Sequence, residues 1–217
     1  MSATSHTPPI LTTNPAATGL PILFLVTFIN SLGTGVVTNG IFFLTKNAYG
    51  FKQSQNFMLA VALGITYIIG ALGAGRAVSI LRRLIPGVSS RGVLMGIMLL
   101  LAALCLIPFA ALRAAQPTEG AFPPAWPIWA LVVVYSPLTG IMWPMMESYV
   151  SGGRRGETLR TGMGLWNVVW SSAVVLSYWG MSPLVERWAP ETILALGALH
   201  LAAAGLVLKF AKEPAPH

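Results

Sequence analysis

Glu147 is the one acid embedded in an apolar stretch of this chain, in Pro144-Met-Met-Glu147, with Arg154 and Arg155 a few residues on. A carboxylate there could bind a proton or a cationic solute if it faced a cavity; it could equally tie the end of its helix to the basic residues that follow. A second candidate is the stripe Thr27, Asn30 or Ser31, Thr34 and Thr38, recurring every three or four residues and therefore on one helical face, with Asn39 close to it. Such a face can line an aqueous path and bond a polar solute, or it can hydrogen-bond a neighbouring helix. Tyr135, Thr139 and Trp143 follow at a spacing of four, in a stretch interrupted by Pro137 and Pro144, and Asn167 shares a face with Ser171. His200 stands alone among Ala and Leu and reads as a packing residue. Three histidines, one cysteine and no aspartate make no metal cluster, so neither a metal nor another cofactor is expected.

Catalytic residues are not expected either. An intramembrane serine protease would need a Gly-x-Ser-Gly turn opposite a histidine, and Ser136, Ser148 and Ser171 lie in no such setting. No glycine-rich phosphate loop ending in Lys-Ser/Thr occurs. Asn14-Pro15-Ala16 lies before the first apolar run and has no second copy, which sets it apart from a water channel's paired half-helices.

The elements that must position these residues follow from composition. Of 217 residues, 55% are hydrophobic and 9% charged, and the mean hydropathy is +0.71; soluble domains carry about 25% charge. This chain has too little polar surface to cover itself in water, and one cysteine excludes a disulfide scaffold. A helix needs about 20 apolar residues to cross a bilayer core. Six stretches qualify: 20–44, 57–80, 92–112, 127–149, 161–184 and 192–210. The fold expected is therefore all-α, a polytopic membrane protein of six transmembrane helices. Residues 1–19 form a Pro- and Thr-rich tail, 20–212 the bundle and 213–217 a second tail. A long Pro-rich connection divides the bundle into three-helix units, 20–113 and 127–212, as in the 3+3 inverted repeats of transporters.

Net charge is +7, but the basic residues sit between apolar runs and form no stripe, so nucleic acid is not an expected partner; anionic headgroups are. Nine of the thirteen Lys and Arg fall on one side of the six spans, which places both termini in the cytoplasm of an inner or plasma membrane.

The run Gly73-Ala-Gly-Arg76-Ala77-Val78-Ser-Ile80-Leu-Arg82-Arg83 resembles the loop signature of the major facilitator superfamily, with Gly73, Arg82 and Arg83 in register. Ala77, Val78 and Ile80 stand where that signature has an aspartate, a basic residue and a second glycine. Gly140-Ile-Met-Trp-Pro144-Met-Met-Glu147, then Arg155-Gly156 and Gly164-Leu-Trp-Asn167-Val-Val-Trp170-Ser171, is similar to that superfamily's fourth and fifth helices. The resemblance implies an N-terminal six-helix half of such a transporter, moving a small-molecule solute by alternating access against a second bundle, from a homodimer or a C-terminal half. It implies solute contacts from Asn30, Thr34, Tyr135, Trp143 and Asn167, and a cytoplasmic gate from Arg82, Arg83, Glu147, Arg154 and Arg155. The alternative is a non-transporting membrane scaffold derived from such a half.

Overall fold

In the computed structural model, which describes residues 17–115, 121–185 and 188–216, every regular element is helical. Helix α1 (Leu20–Gly35) runs through one π-helical turn, Val36–Gly40, into α2 (Ile41–Ala48). Then come α3 (Gln53–Leu84), α4 (Ser90–Leu104), α5 (Leu106–Ala115), α6 (Trp126–Ser151), α7 (Gly156–Val185) and α8 (Ala189–Val207). Four helical stretches, Leu20–Ala48, Gln53–Leu84, Ser90–Ala115 and Trp126–Ser151, are long and apolar enough to cross a membrane, which is compatible with a membrane protein. Glu191–Val207 is apolar but shorter.

Local chemistry sets the ends. Proline stands in the first turn of α1, α6 and α8, where its missing N–H costs nothing. Ser89 caps α4 by accepting from the Gly92 N–H at 3.1 Å. The chain leaves α6 through Gly152 and Gly153, the latter at φ 71°, a left-handed turn that glycine enters without a Cβ clash.

Helix α3 packs most extensively on α6, α1 on α7 and α8, and α4 on α6 and α8. Small residues set the closest of these crossings. A Cβ on Gly70 of α3 would lie 2.6 Å from Pro137 Cα, and one on Gly140 of α6 would lie 2.5 Å from the Tyr67 carbonyl oxygen. The two backbones therefore touch, and Ser136 donates across the seam to the Leu63 carbonyl at 2.7 Å. Gly35 of α1 lies as close to Ser177 of α7, and Gly197 of α8 meets Ala102 and Cys105. Close approach through small residues is the way helices associate inside a membrane, where hydrophobic exclusion gives no drive.

The outward face of α3 is strongly apolar, with Phe57, Ile69 and Leu72 exposed, Leu72 by 85%. On α7, exposed Val168 and Val175 sit beside exposed Asn167, Ser171 and Ser172.

Gly70→Ala is expected to lower stability by about 1–3 kcal/mol, because a methyl group there meets rigid backbone. Gly64→Ala on the same helix, where a Cβ meets nothing, is expected to be neutral or stabilising; thermal melting of both variants in one detergent distinguishes them.

Candidate functional site

Four side chains from three helices form a buried polar chain at the centre of the bundle. His200 of α8 is wholly buried, and both of its ring nitrogens are bonded. Nδ1 lies 2.8 Å from Asn30 Oδ1 of α1, and Nε2 lies 2.7 Å from the Tyr135 hydroxyl of α6. The Asn30 amide nitrogen donates to the Met142 sulfur at 3.1 Å. Sulfur can only accept, so this contact turns the amide oxygen toward the ring. Nδ1 then carries the proton, and Nε2 accepts from Tyr135. The donors run in one direction, Tyr135 to His200 to Asn30 to Met142.

Gly33, one helical turn from Asn30, makes room for this arrangement by carrying no side chain. A Cβ there would come 3.0 Å from the imidazole. The ring therefore packs closely against α1 at Gly33. Buried from bulk solvent, these polar atoms are paired within the protein, as their burial demands.

The rest of the polar stripe on the first helical stretch is mixed: Thr27 bonds across to α7, the others bond along their own helix, and the buried Ser31 hydroxyl has no hydrogen-bond partner among the described residues. Thr27 accepts from the Trp166 indole of α7 at 3.0 Å, and Trp166 meets Trp143 edge-on at 6.3 Å. Thr34 is buried and turned to the Ser31 carbonyl of its own helix. Thr38 donates to the Thr34 carbonyl at 2.7 Å, and Asn39 donates to Thr38. Of the five residues expected to touch solute, Asn30 and Tyr135 come together through His200, and Trp143 lies beside Trp166. Asn167 stands apart, exposed on α7.

The five residues expected at a gate divide similarly. The Arg82 guanidinium donates to Glu213 at 2.7 Å and to the Ser90 hydroxyl at 2.7 Å. Glu213 also accepts from the Ser90 backbone N–H at 2.9 Å. Burial raises the Glu213 carboxyl, but the Ser90 hydrogen bonds and the Arg82 charge outweigh it and hold the group below the ordinary glutamate value. Arg154 is buried and has no carboxylate partner among the described residues. It donates to the carbonyls of Tyr149, Val150 and Gly152, which end α6, and at 2.6 Å to that of Thr18, ahead of α1. Arg83, Glu147 and Arg155 are exposed, and Arg82–Glu213 is the one ion pair among the described residues.

The segment after α8 is bound across this arginine-rich end. Tyr149 donates to the Ala211 and Lys212 carbonyls, Arg91 to those of Leu208 and Phe210, and Gly153 to that of Pro216. A Cβ on Gly152 would lie 2.6 Å from the Ala215 oxygen.

His200, Met142, Ser90 and Glu213 are the participants that sequence reasoning leaves out. One signal for His200 existed: an imidazole amid Ala and Leu has no local partner, and Asn30 is a side chain with the matching need. Nothing local marks Glu213, whose partners lie more than 120 residues earlier. Searches among family models, curated proteins and solved structures match this chain to none of them.

His200→Leu orphans both the Tyr135 hydroxyl and the Asn30 oxygen, so it is expected to cost about 2–4 kcal/mol; Tyr135→Phe orphans only the His200 Nε2 and is expected to cost about 1–2 kcal/mol. Equal melting temperatures for the two variants would contradict the chain of bonds. A second expectation concerns pH. A carboxyl whose folded pKa is depressed contributes stability above its unfolded pKa and loses it as pH falls through the folded value. Melting temperature should therefore fall as pH drops below about 4.5, the ordinary glutamate value, and Glu213→Gln should flatten that part of the profile.

Proposed function

We propose that this chain is a six-helix membrane bundle acting as one half of a secondary transporter of the major facilitator type. It would move a small solute by alternating access against a second bundle, with both termini in the cytoplasm of an inner or plasma membrane. The observation that carries this reading is the symmetry of the packing. Exchanging α1 with α6, α3 with α7, and α4 with α8 turns the α6–α3 and α6–α4 contacts into α1–α7 and α1–α8, and leaves α4–α8 unchanged. That is the pairing a 3+3 inverted repeat requires. The 30-residue α7 and the 19-residue α8 count as the fifth and sixth spans, α8 being short for a full crossing.

Asn167, Ser171 and Ser172 give further support. An amide and two hydroxyls exposed on an apolar helix face are poorly matched to lipid tails. They suit a wet path or a facing bundle. On this reading Asn167 is the solute contact, and Asn30 and Tyr135 support the path from beneath.

One observation favours a non-transporting scaffold instead: Asn30 and Tyr135 already use their hydrogen-bonding groups within the bundle. Thermal melting of the nanodisc-embedded protein against a panel of small polar solutes separates the readings. A transporter gives a saturable stabilisation, about 2.7 kcal/mol at a hundred times Kd, which Asn167→Ala removes without changing the melting temperature of the free protein. A scaffold responds to no solute.

A further inference from the structure

Helices α3 and α7 both touch α2, so they flank the first helical stretch as neighbours. Each turns one unpartnered face outward. That of α3 carries Ile65, Leu72, Arg76 and Arg83, and that of α7 carries Glu157, Gly164, Val168 and Val175, all of them exposed. Both sets step by seven, four and seven residues, which keeps each on one helical face. Their charges are opposite in sign. Arg76 and Arg83 form no ion pair among the described residues, and neither does Glu157.

Contacts inside the bundle set the height of one face against the other. Trp166 of α7 bonds Thr27, which lies one turn before Asn30, and Asn30 bonds Met142. Helices α1 and α6 run in opposite directions, since Arg154 reaches back to Thr18, so Thr27 is level with Met145. Helices α3 and α6 run in the same direction, with Ser136 on Leu63 and Gly140 against Tyr67 and Ala71. Met145 is then level with Ala74, and so is Trp166. Counting from that level at about 1.5 Å per residue, Arg83 stands level with Glu157, Arg76 with Gly164, Leu72 with Val168 and Ile65 with Val175.

We infer that a second copy of this chain covers these two faces, α3 of each copy lying antiparallel on α7 of the other. A twofold axis along the bundle preserves height, so these levels meet, and they meet twice, as in any isologous interface. Arg83 then faces a carboxylate, and Leu72 and Ile65 each face a valine. Arg76, about 12 Å inside the end of α3, faces a bare glycine that leaves room for its stem; a Cβ on Gly164 would touch nothing within 4 Å. Lipid tails would suit the apolar members of both faces but would leave the Arg76 charge, between Leu72 and Ile80, in hydrocarbon at high cost. The inference rests on the paired-bundle reading above and names the partner and its register.

Disulfide trapping of the full-length protein, in the membrane in which it is made, tests it. Two differently tagged chains, one with Leu72→Cys and one with Val168→Cys, both with Cys105→Ala, should form a crosslinked pair carrying both tags on mild oxidation. Ile65→Cys with Val175→Cys should do the same. Leu201→Cys, exposed on α8, should give no more than chains without an introduced cysteine. Arg83→Glu or Glu157→Arg alone should weaken dimerisation about tenfold, because each sets like charges opposite at both contacts. The two together in one chain should restore it, which a folding defect would not. A dimer trapped through Leu201→Cys and not through the α3–α7 pairs, or one that the double swap fails to restore, would overturn the inference and leave paired bundles standing. A chain that stays single and traps at none of these positions would overturn both.

Discussion

Burying a polar side chain costs free energy unless it is hydrogen-bonded, and the residues at the centre of this bundle are arranged around that constraint. Asn30, Tyr135 and His200 lie on three different helices, and each satisfies its hydrogen bonds only when α1, α6 and α8 close together. Gly33 is what lets the imidazole reach α1. Since α1 precedes the long central connection while α6 and α8 follow it, this one set of bonds locks the two ends of the chain together. The apolar contacts around it tolerate sliding. The hydrogen bonds do not, so they fix the register.

Close backbone contact is the second organising force. Gly70 against Pro137, and Gly140 against Tyr67, bring α3 and α6 together with no side chain between them. Gly35 does the same for α1 and α7. At the arginine-rich end the means change, and charged side chains join the chain segments. Arg154 gathers the carbonyls that α6 leaves open and ties them to Thr18, while Glu213 bridges Arg82 and Ser90. The residues expected to gate are thus of two kinds. Arg154 and Arg82 are engaged in joining chain segments, and Arg83, Glu147 and Arg155 face outward.

The all-helical fold was legible because apolar runs near the thickness of a bilayer admit little else. Helix ends were less so. Helix α3 begins at Gln53 and continues through Arg82 and Arg83 to Leu84, since backbone hydrogen bonding does not stop where hydropathy does. The break at Cys105 between α4 and α5, and the π turn at Val36–Gly40, leave no mark in an apolar pattern. His200 read as packing, since its two partners are 170 and 65 positions away. Glu213, placed by sequence in a short tail, is held by residues that only the folded bundle brings near. The expected N-terminal tail lies mostly outside the described residues, apart from Thr18 and its bond to Arg154.

What the functional reading depends on most is a second bundle opposite the exposed faces of α3 and α7. Its most direct test is the intact mass of the full-length protein, extracted in lipid nanodiscs from the membrane in which it is made. Two bundles built from this chain give a stable particle near twice 23.0 kDa, lipid aside. A particle holding a single 23.0 kDa chain and nothing else would contradict alternating access between paired halves.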